Sequence, residues 1–218
     1  MLTNRRDAGE RLLARLPPVD PASAVVLALP RGGVPVAAPI ARALGAPLDL
    51  VLVRKVGAPR HPELALGAVS DGGEMRVTVN EEVASALGLD EEAVRALARA
   101  ELPELERRRA RYLGGRAPIP LAGRTAILVD DGVATGATAR AALRLVRQEA
   151  PARVILAVPV APPDTLEALA GEADAVVCLE APERFVAVGA HYEDFTQVED
   201  DEVRALLDAA RDGLRAAP

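Results

Sequence analysis

ILVDDGVATGAT, residues 127–138, is the stretch from which the rest of the chain can be read. The apolar run TAILV, residues 125–129, has the length and character of a buried strand and delivers two adjacent carboxylates, Asp130 and Asp131. A loop of small residues follows, from Gly132 through Val133, Ala134, Thr135, Gly136 and Ala137 to Thr138, and a helix is expected to begin inside it. Such a junction turns unbonded backbone N–H groups and a positive dipole end toward an anion. Gly132 and Gly136 permit close backbone approach, and the hydroxyls of Thr135 and Thr138 can donate to phosphate oxygens. The two acids would repel a phosphate, but ionised carboxylates accept hydrogen bonds from sugar hydroxyls. Acid pair and anion cradle together suit one molecule carrying both a diol and a terminal phosphate. The chain contains neither G-x-x-x-x-G-K-[ST] nor G-x-G-x-x-G, which removes the P-loop and the dinucleotide fingerprint as rivals.

Outward from this stretch, short apolar runs alternate with helical patterns. AVVLAL at 24–29, LDLVLV at 48–53, VILAVPV at 154–160 and AVVCL at 175–179 read as further strands buried on both faces. Helices are expected over 34–44, 137–150 and 164–170, the last with Asp164 as N-cap. Alternation of this kind predicts an α/β fold: a central, mostly parallel sheet flanked by helices. Residues 64–79 read as a hairpin turning at Asp71-Gly72-Gly73, and 81–112 as one or two charged helices, with Asp90 as an N-cap. We expect a single domain over 1–218, with its core at about 20–180. A helical insertion at 81–112, a hood at 181–198 and a C-terminal helix at 199–213 complete it.

Composition narrows the function classes. A formal net charge of -6 and a pI near 5.1 argue against a sequence-independent nucleic-acid binder, although the run ELERRRARY contains an arginine cluster at 107–111. Cys178 is the one cysteine, so no intrachain disulfide can form, and its apolar strand suggests a core residue. The N-terminal MLTNRRDAGERLLARL lacks the apolar core and cleavage site of a secretory signal, and no apolar run approaches the roughly 20 residues needed to span a bilayer. The expectation is a soluble cytoplasmic protein without membrane association.

Three other places carry candidate chemistry. Pro30-Arg31-Gly32-Gly33 follows the first strand at the same sheet edge, where two glycines can turn N–H groups to an anion and Arg31 adds a charged fork. Lys55 stands out because it is the single lysine among 26 basic residues. Residues 57–66, GAPRHPELAL, read as a Pro-rich loop in which His61 and Glu63 are candidates for proton transfer. Three of the four aromatic residues, Phe185, Tyr192 and Phe195, fall in FVAVGAHYEDF at 185–195, which could stack on a planar molecule or plug one end of the sheet.

Residues 127–138 resemble the ribose-phosphate loop of type I phosphoribosyltransferases: apolar strand, two acids, then Thr-Gly-[Gly/Ala]-[Thr/Ser]. The resemblance implies transfer of the 5-phosphoribosyl group of 5-phosphoribosyl 1-pyrophosphate (PRPP) to a nitrogen acceptor, with release of pyrophosphate. It implies that Asp130 and Asp131 hold the ribose hydroxyls and that the loop from Gly132 to Thr138 holds the 5-phosphate. Arg31, Gly32, Gly33 and Lys55 would take the pyrophosphate, on a loop that in the family often has a strained peptide bond. Arg31, Lys55 and Glu63 are the implied catalytic candidates, and residues 57–66 would cover the site during turnover. The aromatic stretch looks like the hood of the hypoxanthine-guanine enzymes, in which Phe185 or Tyr192 would stack on the base and Val186 would contact it. Two features depart from those enzymes: Ala134 replaces an Asp, and Glu180 and Glu183 stand where a Lys precedes the Phe. The loop is closer to the adenine-type pattern, which leaves the acceptor open. Mg²⁺ bound through PRPP and a homodimer are also implied, and a non-catalytic PRPP- or nucleotide-sensing regulator on the same fold is the alternative.

Overall fold

The computed structural model describes residues 1–59, 61–71 and 75–215, with the backbone alone described at Pro62, Glu63, Asp71 and Arg215. Its opening elements are α1 (Arg5–Leu13), β1 (Ala24–Ala28), α2 (Gly33–Leu44) and β2 (Leu48–Leu50). An arm follows, built from β3 (Val53–Ala58), β4 (His61–Asp71), β5 (Met75–Val79), α3 (Glu81–Ala86), α4 (Glu91–Arg99) and α5 (Leu102–Leu113). The chain then returns to the sheet with β6 (Thr125–Val129), α6 (Ala137–Arg147), β7 (Arg153–Val160), α7 (Pro163–Ala170) and β8 (Ala175–Glu180), and ends in α8 (Asp200–Arg215).

Five strands form one parallel sheet in the order β2-β1-β6-β7-β8. All five residues of β1 are buried, as are all but the first of β6 and of β7, because helices cover both faces. Alternate side chains divide between two cores. Val26, Ile127 and Ile155 join Leu12 of α1, Ile40 of α2 and Leu207 of α8, whereas Val25, Leu128 and Leu156 meet Ala142, Leu143 and Val146 of α6. From β1 the chain moves to one side to reach β2, and from β6 to the other side to reach β7. The order therefore reverses between β1 and β6, and it is at such a switch point that the loops beyond the carboxyl ends leave a crevice.

The α/β architecture matches the sequence expectation, with local differences. The apolar run 48–53 does not form one strand. Val51 N still donates to Ala28 O at 3.0 Å, but the chain then leaves the parallel sheet and starts β3 of a separate antiparallel sheet, β3-β4-β5. Residues 57–66 are not the open loop expected. Gly57 pairs with Ala65 and Ala58 with His61, so residues 62–64 are accommodated as a bulge in a paired arm. The hairpin of β4 and β5 is present, and its expected turn at Gly72 and Gly73 lies outside the described residues. The 81–112 region is three helices, broken by left-handed Gly88 (φ 68°) and again at Ala100–Glu101. Asp90 caps α4 as expected, accepting from Ala93 N, whereas α7 is capped at Pro162 and Asp164 falls in its first turn.

The sequence reading did not identify α1. Its N-cap Asn4 accepts from Asp7 N. Its close seating on α2 requires Gly9, where a Cβ would lie 2.1 Å from Val36 O and 2.6 Å from Pro39 Cγ. Gly9→Ala should therefore push α1 off α2 and lower unfolding free energy by roughly 2 kcal/mol, as overpacking of a tight interface does. Urea denaturation followed by circular dichroism measures this, and an unchanged midpoint would contradict the packing.

Candidate functional site

At the carboxyl edge of the sheet, the strand ends of β1 and β6 are level: Leu29 N donates to Val129 O at 3.0 Å. The loops beyond them are consequently in contact. A Cβ on residue 32 would stand 2.0 Å from Asp131 Oδ2, and one on residue 33 would stand 2.7 Å from Val129 O. Gly32 and Gly33 are thus small because the neighbouring acid strand leaves no room for a side chain. The peptide bond between Pro30 and Arg31 is cis. The Arg31 guanidinium reaches across to the start of α8, 3.9 Å from Asp200 and 4.0 Å from Glu199. Asp200 is shared with Arg111 and with the Tyr112 hydroxyl, which donates to it at 2.6 Å. Part of the arginine run in α5 is therefore spent on holding α8.

Asp130 and Asp131 occupy unlike environments. Asp130 Oδ1 accepts from Asp131 N at 2.9 Å. Burial, and then the charge of neighbouring Asp131, push the Asp130 carboxyl well above the ordinary carboxylate range. Asp131 Oδ2 accepts from Arg5 Nε at 2.8 Å, and the Asp131 carbonyl accepts from the Tyr192 hydroxyl at 2.6 Å.

Behind the acids, Gly132 takes φ 154° and packs where a Cβ would meet Val188 Cγ1 at 2.4 Å. Val133 is buried and donates to Val160 O, which anchors the loop to β7. Ala134, Thr135, Ala137 and Thr138 are exposed, and Gly136 (φ 78°) opens α6 without a side-chain cap. The first N–H groups of this helix are thus left to solvent or to a ligand. The Ala134 carbonyl is held from the far side by the Thr165 hydroxyl at 2.8 Å.

The structure brings Gly32 against Asp131 and Gly33 against Asp130, whereas the Arg31 guanidinium is directed to α8. Lys55 is exposed on β3, where the chain has passed beyond this same sheet edge, and it pairs in register with Ala68. The side chain of Glu63 lies outside the described residues. Val186 is exposed, and Phe185 stacks on His191 with centroids 5.7 Å apart. Tyr192 is placed otherwise than expected for a stacking residue. It is buried, its ring packs against Phe195 and its hydroxyl is committed to Asp131, so it serves as a plug beneath the acids. Arg5 is the site residue that the sequence reading missed; its partner is 126 positions away, and nothing in the local pattern of α1 marks it.

An apolar cleft of about 400 Å³ lies elsewhere, between α2 and α8, lined by Pro35, Ala38, Arg42, Leu206, Ala210 and Leu214. It shares no residue with the loops described here. Among the described residues no helix is long and apolar enough to cross a membrane.

The family model described as a phosphoribosyl transferase domain matches residues 17–194. Proteins from two Mycobacterium tuberculosis strains, CDC 1551 / Oshkosh and ATCC 25618 / H37Rv, each carry a provisional phosphoribosyl transferase name. Each is 50% identical to this chain over 210 residues, which is 96% of this chain and 47% of the relative. The chain thus spans about half the length of these curated relatives. The crystal structure of the TT1426 protein from Thermus thermophilus superposes with a TM-score of 0.83 at 47% identity, covering 95% of this chain and 98% of that one.

The strained ionisation of Asp130 has a thermodynamic consequence. Its carboxyl prefers the proton in the folded state, whereas the unfolded chain ionises near the ordinary value of 3.8. The stability that this one group contributes is therefore complete in acid and is lost as pH rises above that value through the raised folded one. Asn mimics the protonated form. Asp130→Asn should raise the melting temperature of ligand-free protein at pH 7.5, with the gain shrinking as pH falls toward about 4. Melting curves across pH measure this, and a difference independent of pH would contradict the assignment.

Proposed function

Because the chain belongs to the phosphoribosyl transferase domain family, we propose that it transfers the 5-phosphoribosyl group of PRPP to a nitrogen acceptor, with release of pyrophosphate. The observation that carries this reading is the contact of two unlike loops at one switch point. The glycine loop after β1 touches the acid pair that leads into the uncapped start of α6. A molecule with a diol between two phosphate groups matches that order of donors and acceptors.

The 5-phosphate would lie against the backbone from Ala134 to Thr138, with Thr135 and Thr138 as hydroxyl donors. Asp130 and Asp131 would accept from the ribose hydroxyls, and the pyrophosphate would meet Gly32, Gly33 and Arg31. In the reaction the bond from the anomeric carbon to the pyrophosphate oxygen breaks and a bond from that carbon to the acceptor nitrogen forms. Positive charge develops on the sugar and negative charge on the leaving group. The protein's contribution is to fix the reactants and to meet the leaving charge with Arg31 and Lys55. The residues fit Mg²⁺ in a shared manner. Asp130 and Asp131 are the hard oxygen donors at the site, and among the described residues no group of three or more His, Cys, Asp or Glu is gathered into a cage. Such an ion, held mostly by substrate oxygens and water, would neutralise pyrophosphate charge.

Phe185 and Val186 remain the proposed acceptor contacts, with a nucleobase as the acceptor class; Tyr192 is proposed to support the acids from below. The protein is further proposed to act as a homodimer in the cytoplasm.

The test is a screen for pyrophosphate release from PRPP and Mg²⁺ with purine, pyrimidine and amine acceptors. We expect release that depends on the acceptor, and Lys55→Ala should lower turnover about ten- to a thousand-fold, as loss of one charge stabiliser does. PRPP binding without release for any acceptor would favour a regulator on the same fold. Turnover without an acceptor would favour a hydrolase.

A further inference from the structure

We propose that Arg5 is a positioning residue of the PRPP site, holding Asp131 in the orientation that receives the ribose. This rests on the reading of Asp131 given above. The observation is a side chain fixed on three sides. Arg5 Nε donates to Asp131 Oδ2 at 2.8 Å and Arg5 Nη1 donates to the Thr196 carbonyl at 2.8 Å, while the guanidinium carbon lies 3.8 Å over the centre of the Phe195 ring. Both charged side chains are largely withdrawn from water, with 11% of Arg5 and 16% of Asp131 exposed.

The backbone that carries Arg5 is equally fixed. Arg5 is the first residue of α1, which Gly9 seats against α2. The segment before it is laced to the hood. Leu2 N donates to His191 O, Glu193 N to Leu2 O and Asp194 N to Thr3 O, at 2.9, 2.9 and 3.0 Å. Tyr192 completes the enclosure by donating to the carbonyl of the same Asp131. Asp131 is thus held at its side chain from α1 and at its main chain from the hood.

Arg5 does not need to leave when a ligand binds. Its hydrogen bond takes one of the several acceptor positions that an ionised carboxylate offers, and the Thr196 and Phe195 contacts hold the guanidinium without help from the acid. Its positive charge also offsets the repulsion between the paired carboxylates. The planar fork matters here: a guanidinium can donate along two in-plane directions while its face rests on a ring. A lysine ammonium has three donors but no such plane, so it cannot reproduce the fixed in-plane pair with a face on the ring.

The experiment is a double-mutant cycle read by titration calorimetry with PRPP and Mg²⁺, using Arg5→Ala, Arg5→Lys, Asp131→Asn and Arg5→Ala with Asp131→Asn, each checked for its melting temperature. Arg5→Ala should weaken PRPP binding about tenfold, the loss typical of a residue that orients a ligand-binding group, and Arg5→Lys should recover part of it. In the Asp131→Asn background, Arg5→Ala should cost less than about twofold more, because coupled residues do not add. A merely structural role would lower the melting temperature and leave the two losses multiplicative, which would overturn the proposal. Unchanged or tighter binding in Arg5→Ala would do so as well, the tighter result marking Arg5 as an occupant that the ligand must displace. Should Asp131→Asn itself bind PRPP like the unmodified protein, the ribose reading fails and the inference falls with it. If Asp131→Asn weakens binding and Arg5→Ala does not, the inference alone fails.

Discussion

One oxygen of Asp131 lies where the first side-chain carbon of residue 32 would stand, so the loops after β1 and β6 can meet only if one of them has no side chain at that point. Much else depends on this contact. It follows from two parallel neighbours ending level, which places their loops side by side. It also follows from the reversal of strand order between them, which keeps both connecting helices, α2 and α6, from covering the gap. The crevice needs no carving out by side chains; it is where the sheet runs out of crossover connections.

The acids at this crevice are costly to keep. Two adjacent carboxylates, one sunk against the glycine loop, destabilise the fold in which they sit, and the surrounding residues offset this in part. Arg5 supplies the opposing charge, Tyr192 bonds the intervening carbonyl, and Asp131 N bonds Asp130. Groups held in such arrangements usually serve binding at the expense of stability. The hood then gains a second meaning. It was expected to stack on a planar acceptor or to plug one end of the sheet, and its residues from Tyr192 to Thr196 also form the outer wall that fixes Arg5 and Asp131.

The parts legible in the sequence were those whose cause is local. A strand buried on both faces must be apolar throughout, so β1, β6 and β7 announced themselves; β8 is apolar too, yet as the edge strand it is buried only at Val177. The acid-glycine-threonine string had its order of functions written in consecutive residues. The illegible parts depend on distant partners. LDLVLV at 48–53 reads as one strand because each residue has strand character; that it divides after Leu50 is decided by where β1 ends, since Ala28 takes the Val51 N–H and nothing beyond it continues the ladder. The prolines at 59 and 62 suggested an open loop, yet antiparallel pairing persists around residues 62–64 by bulging. Arg5 resembled any arginine of a polar N-terminal stretch until the structure placed α1 beside Asp131. Tyr192, with a scarce ring near the expected acceptor, invited a stacking role that its burial against Leu2 and Phe195 removes.

The central claim is that the uncapped start of α6, behind the acid pair, receives a sugar phosphate. Amide chemical shifts followed while ribose 5-phosphate is added to isotope-labelled protein test it most directly, because this probe carries the diol and the phosphate without the leaving group. The account predicts saturable shifts concentrated at Asp131 and at the backbone from Ala134 to Ala139, with smaller ones at Gly32. Shifts confined to the α2–α8 cleft, or none at millimolar ligand, would contradict it.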